Sequence, residues 1–188
     1  MKRRDEGKAR DILAATLEEV EAVGLTGLSM EAVARRAGVA TGTVYIYFKN
    51  KEALLDALYL ETKTHLASVA LGGEGLPVRV AFSRMCAAYV AFLLDHRAAV
   101  GFMAQMAGSQ LISDETRAAT AQGLRPLVEL LERGKRELLL KDLETPLMIA
   151  FLQGALRELA GFIAQERRSQ RARRLEQIAA ICWDALKS

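Results

Sequence analysis

Hydroxyl, glycine and lysine residues that could contact a phosphodiester backbone or base edges lie close together near the N-terminus. These candidates are Thr41, Gly42, Thr43, Tyr45, Tyr47 and Lys51. Serine, threonine and tyrosine hydroxyls bond to phosphates or bases, and threonine methyl groups can meet thymine methyls. A glycine lets the backbone approach a ligand closely, and a lysine at a helix N-terminus suits phosphate. This group of residues is typical of a nucleic-acid interface.

Short helices predicted on both sides of Gly38 must position these side chains. Ser29 is a good N-cap for a helix that reaches Ala37. A very short helix follows and ends before Asn50, which is the predicted N-cap of the fourth helix. Two short helices joined by a glycine-containing turn form the helix-turn-helix pattern, whose second helix enters the DNA major groove. A preceding helix is predicted from Asp5 to Val23, and Gly24 ends it. The side chains of Tyr45 and Tyr47 project from opposite flanks of the short helix. Each of them either contacts phosphate through its hydroxyl group or packs between helices.

One run of sequence resembles the N-terminal domain of TetR/AcrR-type transcriptional regulators. The residues that carry the resemblance are Ser29, Val33, Ala34, Ala37, Gly38, Val39, Gly42, Thr43, Val44, Tyr45, Tyr47, Phe48, Lys51, Leu54 and Leu55. The resemblance covers roughly residues 8–60 and implies DNA contacts by the candidate residues and by Ser29 at the start of the second helix. It implies that Thr41 and Thr43 lie in the groove, that Tyr45 and Tyr47 contact the backbone, and that Lys51 contacts phosphate. That family often has histidine where this chain has Tyr47, and Ile46 makes any base contact at its position apolar.

Composition and charge limit the classes of function. The 188 residues carry a net charge of +3 and are 51% hydrophobic with only three prolines, which is typical of a folded, largely helical protein. Residues 1–63 hold ten Lys/Arg and ten Asp/Glu, so phosphate contact must come from local charge placement. The basic N-terminal tail is either a frayed terminus or an arm that touches phosphate. The run 167–174 is also basic, and we interpret it as a solvated turn.

Motifs for catalysis, metals or membranes are missing from the sequence. We find no metal-ligand spacing, no nucleophile elbow and no phosphate loop, so we expect no enzyme activity, no metal and no cofactor. The two cysteines are separated and suggest reduced thiols in a cytoplasmic protein. The charged start is not a signal peptide, and no transmembrane helix or membrane partner is expected.

Apolar helices with few turn signals fill the rest of the chain. We expect helices near residues 51–71, 77–95, 97–107, 113–134, 143–167 and 171–187. Methionine and aromatic residues on these faces are either ordinary core or the lining of an adaptable pocket for a small hydrophobic or aromatic effector. The candidate pocket residues are Phe82, Met85, Cys86, Tyr89, Phe92, Phe102, Met103, Met106 and Phe151.

The last two predicted helices have apolar faces that could pack inside one chain. In the family that the chain resembles, such helices pair into a four-helix homodimer interface. The candidate interface residues are Leu152, Ala155, Leu156, Leu159, Leu175, Ile178 and Cys182. The predicted fold is all-α, with about nine helices. We divide the chain into a three-helix DNA-binding head (1–51), a linking helix (52–71) and a ligand-binding and dimerisation domain (72–188), with residues 72–75 as the flexible joint.

The predicted function is sequence-specific transcriptional regulation. A homodimer would bind a palindromic operator in double-stranded DNA, because two heads about 34 Å apart can read two half-sites. The effector would release this repressor by shifting the fourth helix. The alternative is a ligand-independent nucleoid or division factor on the same fold, in which the apolar body is only core.

Overall fold

Ten α-helices are present in the described part of the chain. The structure is a computed structural model that describes residues 2–70 and 75–188, together with the side chains of these residues except 2–6 and 168. The glycine joint predicted at residues 72–75 therefore lies mostly outside the described residues, as do the side chains of the basic N-terminal tail. The helices are α1 (Lys2–Gly27), α2 (Met30–Arg36), α3 (Thr41–Tyr47), α4 (Lys51–Ala70), α5 (Val78–Asp95), α6 (Arg97–Met106), α7 (Asp114–Gly123), α8 (Arg125–Arg136), α9 (Thr145–Ile163) and α10 (Arg168–Leu186).

The prediction of an all-α fold is confirmed. Gly24 has φ 73° and ψ 172°, so regular helix geometry in α1 breaks there, at the residue where the sequence predicted the first helix to stop. The single helix predicted over 113–134 is instead two helices, α7 and α8. Pro126 lies in the first turn of α8, where its missing N–H costs nothing, and a continuous helix through this point would lose a hydrogen bond.

The chain divides into two compact units, and the division falls inside α4. The first unit comprises Met1–Lys63 and Arg97–Thr120. Its core joins α1, α2, α3 and α4 to α6 and the segment that follows α6. The most buried side chains of this core are Ile12, Val33, Val44, Leu54, Leu55, Phe102 and Met106. Residues 97–120 therefore fold with the N-terminal helices.

A polar contact fastens α4 to the start of α7 inside the first unit. The Asp56 carboxylate accepts hydrogen bonds from the Ser113 N–H at 3.0 Å, the Ser113 hydroxyl at 2.8 Å and the Thr116 hydroxyl at 2.9 Å. Ser113 also caps α7, because its Oγ accepts from the Thr116 N–H. One carboxylate thus satisfies three donors, and Thr116 is buried.

The second unit comprises Thr64–His96 and Ala121–Ser188. Here α5 packs against α8, α9 and α10, and α9 packs against α10. Phe82 is fully buried and meets the Trp183 ring edge-on at 5.3 Å. The chain end closes this unit, because Leu140 in the α8–α9 loop forms a single antiparallel bridge with Lys187.

Helix α9 has apolar residues on its exposed side as well as on its buried side. It is the one helix in the described residues long and apolar enough to cross a membrane by length and composition alone. The core helix of a protein outside the membrane passes the same test, and Arg157 and Glu158 interrupt the apolar sequence of α9. The absence of a membrane span stays a prediction.

Candidate nucleic-acid interface

Helix α3 is held by one face and presents the other to solvent. Val44 is fully buried, and Phe48, which ends the helix, is also buried in the core of the first unit. On the opposite side Ile46 is 80% exposed and Tyr45 is 48% exposed. At such exposure a large apolar side chain contributes little hydrophobic stabilisation to its own fold. This face of α3 is therefore available to a partner.

The turn before α3 fixes the angle between α2 and α3. Gly38 has φ 67°, a left-handed conformation that favours glycine, and the Val39 N–H donates to the Ala34 carbonyl at 3.0 Å. Ser29 is the N-cap of α2, since its Oγ accepts from the Ala32 N–H at 3.1 Å. Its hydroxyl hydrogen remains available to donate, so a phosphate contact by Ser29 is compatible with its capping role.

The N-terminal end of α3 presents small residues. Gly42 is exposed, and a Cβ added there would meet no heavy atom within 4 Å. Thr41 and Thr43 on either side of it are half-buried. The helix has no side-chain cap, because Ala40 occupies the N-cap position. Backbone and side chain can thus approach a groove closely at this point.

The two tyrosines of α3 have different surroundings. Tyr45 forms no hydrogen bond within the described residues, and its ring is half exposed. Tyr47 is half-buried, lies against the core of the first unit and has its ring 6.4 Å from that of Phe48. Of the two alternatives, packing between helices describes Tyr47 better, whereas Tyr45 has the free hydroxyl that a phosphate contact needs.

Lys51 lies at the start of α4, beside the end of α1. Its Nζ donates to the Thr26 carbonyl at 3.3 Å, and the predicted Asn50 cap is present, with Oδ1 accepting from the Ala53 N–H at 2.8 Å. A long exposed hydrogen bond of this kind is weak, so the ammonium can turn toward an anion at the α4 N-terminus.

Arg36 is an ion-pair residue that the sequence analysis did not identify. Its Nε lies 2.7 Å from Glu19 and its Nη1 3.5 Å from Glu18, so it connects α2 to α1. The hydrogen bond to Glu19 is the main cause that raises the pKa of Arg36 above its ordinary value. Its charge is thus paired within the first unit, whereas the exposed side chains of Arg35 and Lys49 make no ion pair in the described residues.

The structure does not bring the candidate pocket residues into one unit. Phe102, Met103 and Met106 belong to α6, and Phe102 and Met106 are buried in the core that supports α3. The other candidates belong to the second unit, where Phe82, Met85, Cys86 and Phe92 are buried, Tyr89 is half-buried and Phe151 is exposed. Burial is the main cause that raises the pKa of Tyr89.

The two cysteines contact each other across α5 and α10. Both are free and buried. The interaction with the Cys182 thiol and burial raise the pKa of Cys86, which keeps the Cys86 thiol protonated. No group of three or more potential ligands that could hold a metal ion is present among the described residues.

The candidate dimer residues lie mainly on the inner side of their helices. Leu152, Leu156, Ile178 and Cys182 are buried in their own chain, and Ala155, Leu159 and Leu175 are half-buried. A second copy cannot reach the four buried side chains. The exposed large apolar residues of α9 and α10 are instead Leu147, Phe151, Phe162 and Ile181.

Comparison with known proteins agrees with this geometry. Residues 12–58 match the sequence model of a family described as "Bacterial regulatory proteins, tetR family". The HTH-type transcriptional regulator BetI of Escherichia coli O139:H28 (strain E24377A / ETEC) is 36% identical over 64 residues, as is BetI of Klebsiella pneumoniae (strain 342). Each match covers 34% of this chain and 33% of the relative, so about one third of either protein is compared.

Solved structures extend the likeness to the whole chain. A TetR family transcription regulator from Marinobacter aquaeolei VT8 has a TM-score of 0.89 at 24% identity, covering 100% of both chains. A TetR-family transcriptional regulator from Haemophilus influenzae RD has a TM-score of 0.78 at 21% identity, covering 97% of this chain and 98% of its own. At these identities the likeness shows the fold alone.

Proposed function

We propose that this chain is a sequence-specific transcriptional regulator, because residues 12–58 match the sequence model of the tetR family of bacterial regulatory proteins. In this proposal it is a repressor that a small apolar effector releases from a palindromic operator. The observation that carries the proposal is the outward face of α3. Tyr45 and Ile46 are exposed there on a helix that Val44 and Phe48 anchor in the core of the first unit. A helix fixed by its inner face and open on its outer face can enter a major groove without rearrangement.

The docking that we propose gives each candidate residue a separate role. Thr41, Gly42 and Thr43 face base edges, with Ile46 adding an apolar contact to a thymine methyl. The Tyr45 hydroxyl and the Lys51 ammonium contact phosphates on either side of the groove. Ser29 adds a third phosphate contact from the start of α2. Tyr47 contributes mainly by packing against the core of the first unit.

Two copies of the chain are needed to read a palindrome. We assign the dimer contact to the exposed outer residues of α9 and α10, Leu147, Phe151, Phe162 and Ile181. Added Cβ atoms at Gly154 and Gly161 of α9 would meet no heavy atom within 4 Å, so a partner helix can approach there. This proposal replaces the four candidates that are buried in their own chain, Leu152, Leu156, Ile178 and Cys182, whereas the half-buried Ala155, Leu159 and Leu175 remain candidates.

The effector site belongs to the second unit in this proposal. We retain Phe82, Met85, Cys86, Tyr89 and Phe92, which share that unit, and leave out Phe102, Met103 and Met106, which lie in the first unit. The division at residues 51 and 71 stays our proposal for the functional domains, with residues 97–120 packed into the core of the DNA-binding head.

A ligand-release experiment tests the regulatory part of the proposal. The purified protein is screened by thermal unfolding against fatty acids and aromatic compounds, and each compound that stabilises it is added to a protein–operator complex. A compound at 100 times its dissociation constant should stabilise the protein by about 2.7 kcal/mol and weaken operator binding. Compounds that stabilise the protein and leave operator affinity unchanged would refute effector release, whereas DNA binding itself would stand.

A further inference from the structure

The first unit contains a buried carboxylate on α1. Glu19 is the one charged residue that lies buried in the described part of the chain, and only 10% of its side chain is exposed. The neighbouring Glu18 is 64% exposed. A carboxylate that leaves water needs a partner that compensates its charge. Because an apolar side chain would fill this place without that requirement, the buried charge points to a role other than stability.

The partner of Glu19 is Arg36, the last residue of α2. The Arg36 Nε donates to the Glu19 carboxylate at 2.7 Å, and its Nη1 lies 3.5 Å from the Glu18 carboxylate. The shorter contact is a charge-assisted hydrogen bond between residues 17 positions apart in the chain. It therefore ties the end of α2 to the buried side of α1.

The ion pair adds direction to a contact that is otherwise apolar. The other buried residues of α2 are Met30, Ala32, Val33 and Ala34. Burial of apolar surface is non-directional, whereas a short hydrogen bond between charged groups fixes both a distance and an angle. The pair of Arg36 and Glu19 is thus the contact that sets the tilt of α2 against α1 most closely.

The tilt of α2 decides where the proposed DNA contacts lie. Ser29 is at the start of α2, and Arg36 is at the end that leads through Gly38 into α3. Helix α2 packs against both α1 and α3, so a change in its tilt moves Ser29 and α3 together. Groups that bind a partner must be held within about 0.5 Å of the productive geometry. A small rotation of α2 is therefore enough to weaken docking.

We propose that Arg36 is a positioning residue for DNA recognition, which acts through Glu19 and does not itself contact DNA. This role rests on the proposed function, because it requires that Ser29 and α3 meet an operator. The Arg36 guanidinium already lies beside two carboxylates. A phosphate could engage it only by separating it from the buried Glu19, which would leave that charge uncompensated.

The decisive variant is Glu19→Met, which removes a negative charge from the first unit and leaves every proposed DNA contact in place. If charge alone mattered, the loss of an acidic residue would strengthen binding to phosphates. We expect the dissociation constant for the operator to rise about tenfold instead. Each of the two heads then loses about threefold, within the factor of about five that a partly exposed ion pair contributes.

Three further variants identify the cause of that loss. Glu18→Met makes the same change at the neighbouring exposed position and should not raise the dissociation constant. Arg36→Gln should lose as much affinity as Glu19→Met, with no change in the dependence of affinity on salt. Arg36→Lys keeps the charge beside Glu19 and should bind within about threefold of the wild type.

Operator binding is measured by fluorescence anisotropy over a range of salt, and a titration at stoichiometric DNA gives the active fraction of each protein. A purely structural role would lower the active fraction and the unfolding temperature of Glu19→Met. We expect both to stay close to wild type, because Arg36 is 37% exposed and its freed charge can turn to water. A lowered active fraction with an unchanged dissociation constant would overturn the positioning role.

The other outcomes separate this role from the proposed function. A folded wild type that binds no operator would overturn both. A wild type that binds, together with Glu19→Met of equal or higher affinity, would overturn the positioning role alone. An equal loss in Glu18→Met would do the same, since affinity would then follow net charge. A salt slope lower by about 1.8 in Arg36→Gln would assign Arg36 to phosphate and overturn its action through Glu19.

Discussion

Tyr45→Phe and Lys51→Ala should weaken operator binding in two distinguishable ways. The Tyr45 hydroxyl has no hydrogen-bond partner in the described chain, and Lys51 makes one exposed hydrogen bond of 3.3 Å to the Thr26 carbonyl. Removing either group therefore changes the free energy of unfolding by less than about 0.5 kcal/mol. A loss of DNA affinity in these variants reflects the interface and not the fold.

The magnitudes follow from two copies of each contact. A hydrogen bond to a charged phosphate contributes about 1.5 kcal/mol at the lower end of its range, so a Tyr45→Phe dimer loses about 3 kcal/mol, roughly a hundredfold in affinity. Each lysine that neutralises a phosphate adds about 0.9 to the slope of log affinity against log salt, so a Lys51→Ala dimer should lose about 1.8 from that slope. Tyr45→Phe removes no charge and should leave the slope unchanged.

The assay is operator binding by fluorescence anisotropy between 50 and 300 mM salt (roughly the range over which phosphate contacts are screened). Arg84→Ala is the control, because Arg84 is an exposed cation of α5 in the second unit and makes no ion pair in the described residues. It makes the same change in net charge and should alter neither affinity nor slope appreciably. Equal slopes for Lys51→Ala and the wild type, or wild-type affinity in Tyr45→Phe, would refute the docking that we describe.

Two further predictions concern stability. Asp56→Ala removes the acceptor for three hydrogen bonds from Ser113 and Thr116 and should destabilise the protein by about 3 kcal/mol in urea unfolding; a loss below about 1 kcal/mol would show that the contact is dispensable. Gly134→Ala would put a Cβ 2.5 Å from Leu140 Cδ1, and this clash should lower the free energy of unfolding by about 1–3 kcal/mol. The higher helix propensity of alanine should offset about 1 kcal/mol of that loss. The double variant Gly134→Ala/Leu140→Ala should lose less free energy of unfolding than the two single variants together, because the clash is then absent. Strictly additive losses would show that Gly134→Ala does not act through a clash with Leu140.

Local signals in the sequence were enough to predict the N-terminal helices. Ser29 and Asn50 cap the helices that they were expected to cap, and Gly38 has the left-handed backbone that the turn requires. These features depend on a residue and its near neighbours in the chain. For that reason they can be derived from one sequence.

The partners of apolar faces could not be predicted in the same way. Phe102 and Met106 have helical spacing that suits a ligand pocket or a core, and the structure buries them with helices α1 to α4. Periodicity identifies a buried face but not the element that covers it. The Asp56 contact to Ser113 was missed for the same reason, because 57 residues separate its partners in the chain.

Helix α9 shows a different limit of sequence analysis. It has apolar residues on both sides, so its spacing alone did not reveal which side faces the interior. Leu152 and Leu156 are inside, whereas Phe151 and Phe162 are exposed, the latter by 74%. A helix that is apolar all round normally has two partners, and only the coordinates show which face the chain itself covers.

The most direct test of DNA-binding regulation by this chain is selection of bound DNA from a random pool with the purified protein at moderate salt. We expect enrichment of a palindrome whose half-sites lie about 10 base pairs apart or a multiple of that spacing, because two α3 helices must enter the groove on one side of the duplex. The enriched sequence should lose binding when Tyr45 is changed to Phe. Failure of the folded, dimeric protein to enrich any sequence would contradict the account.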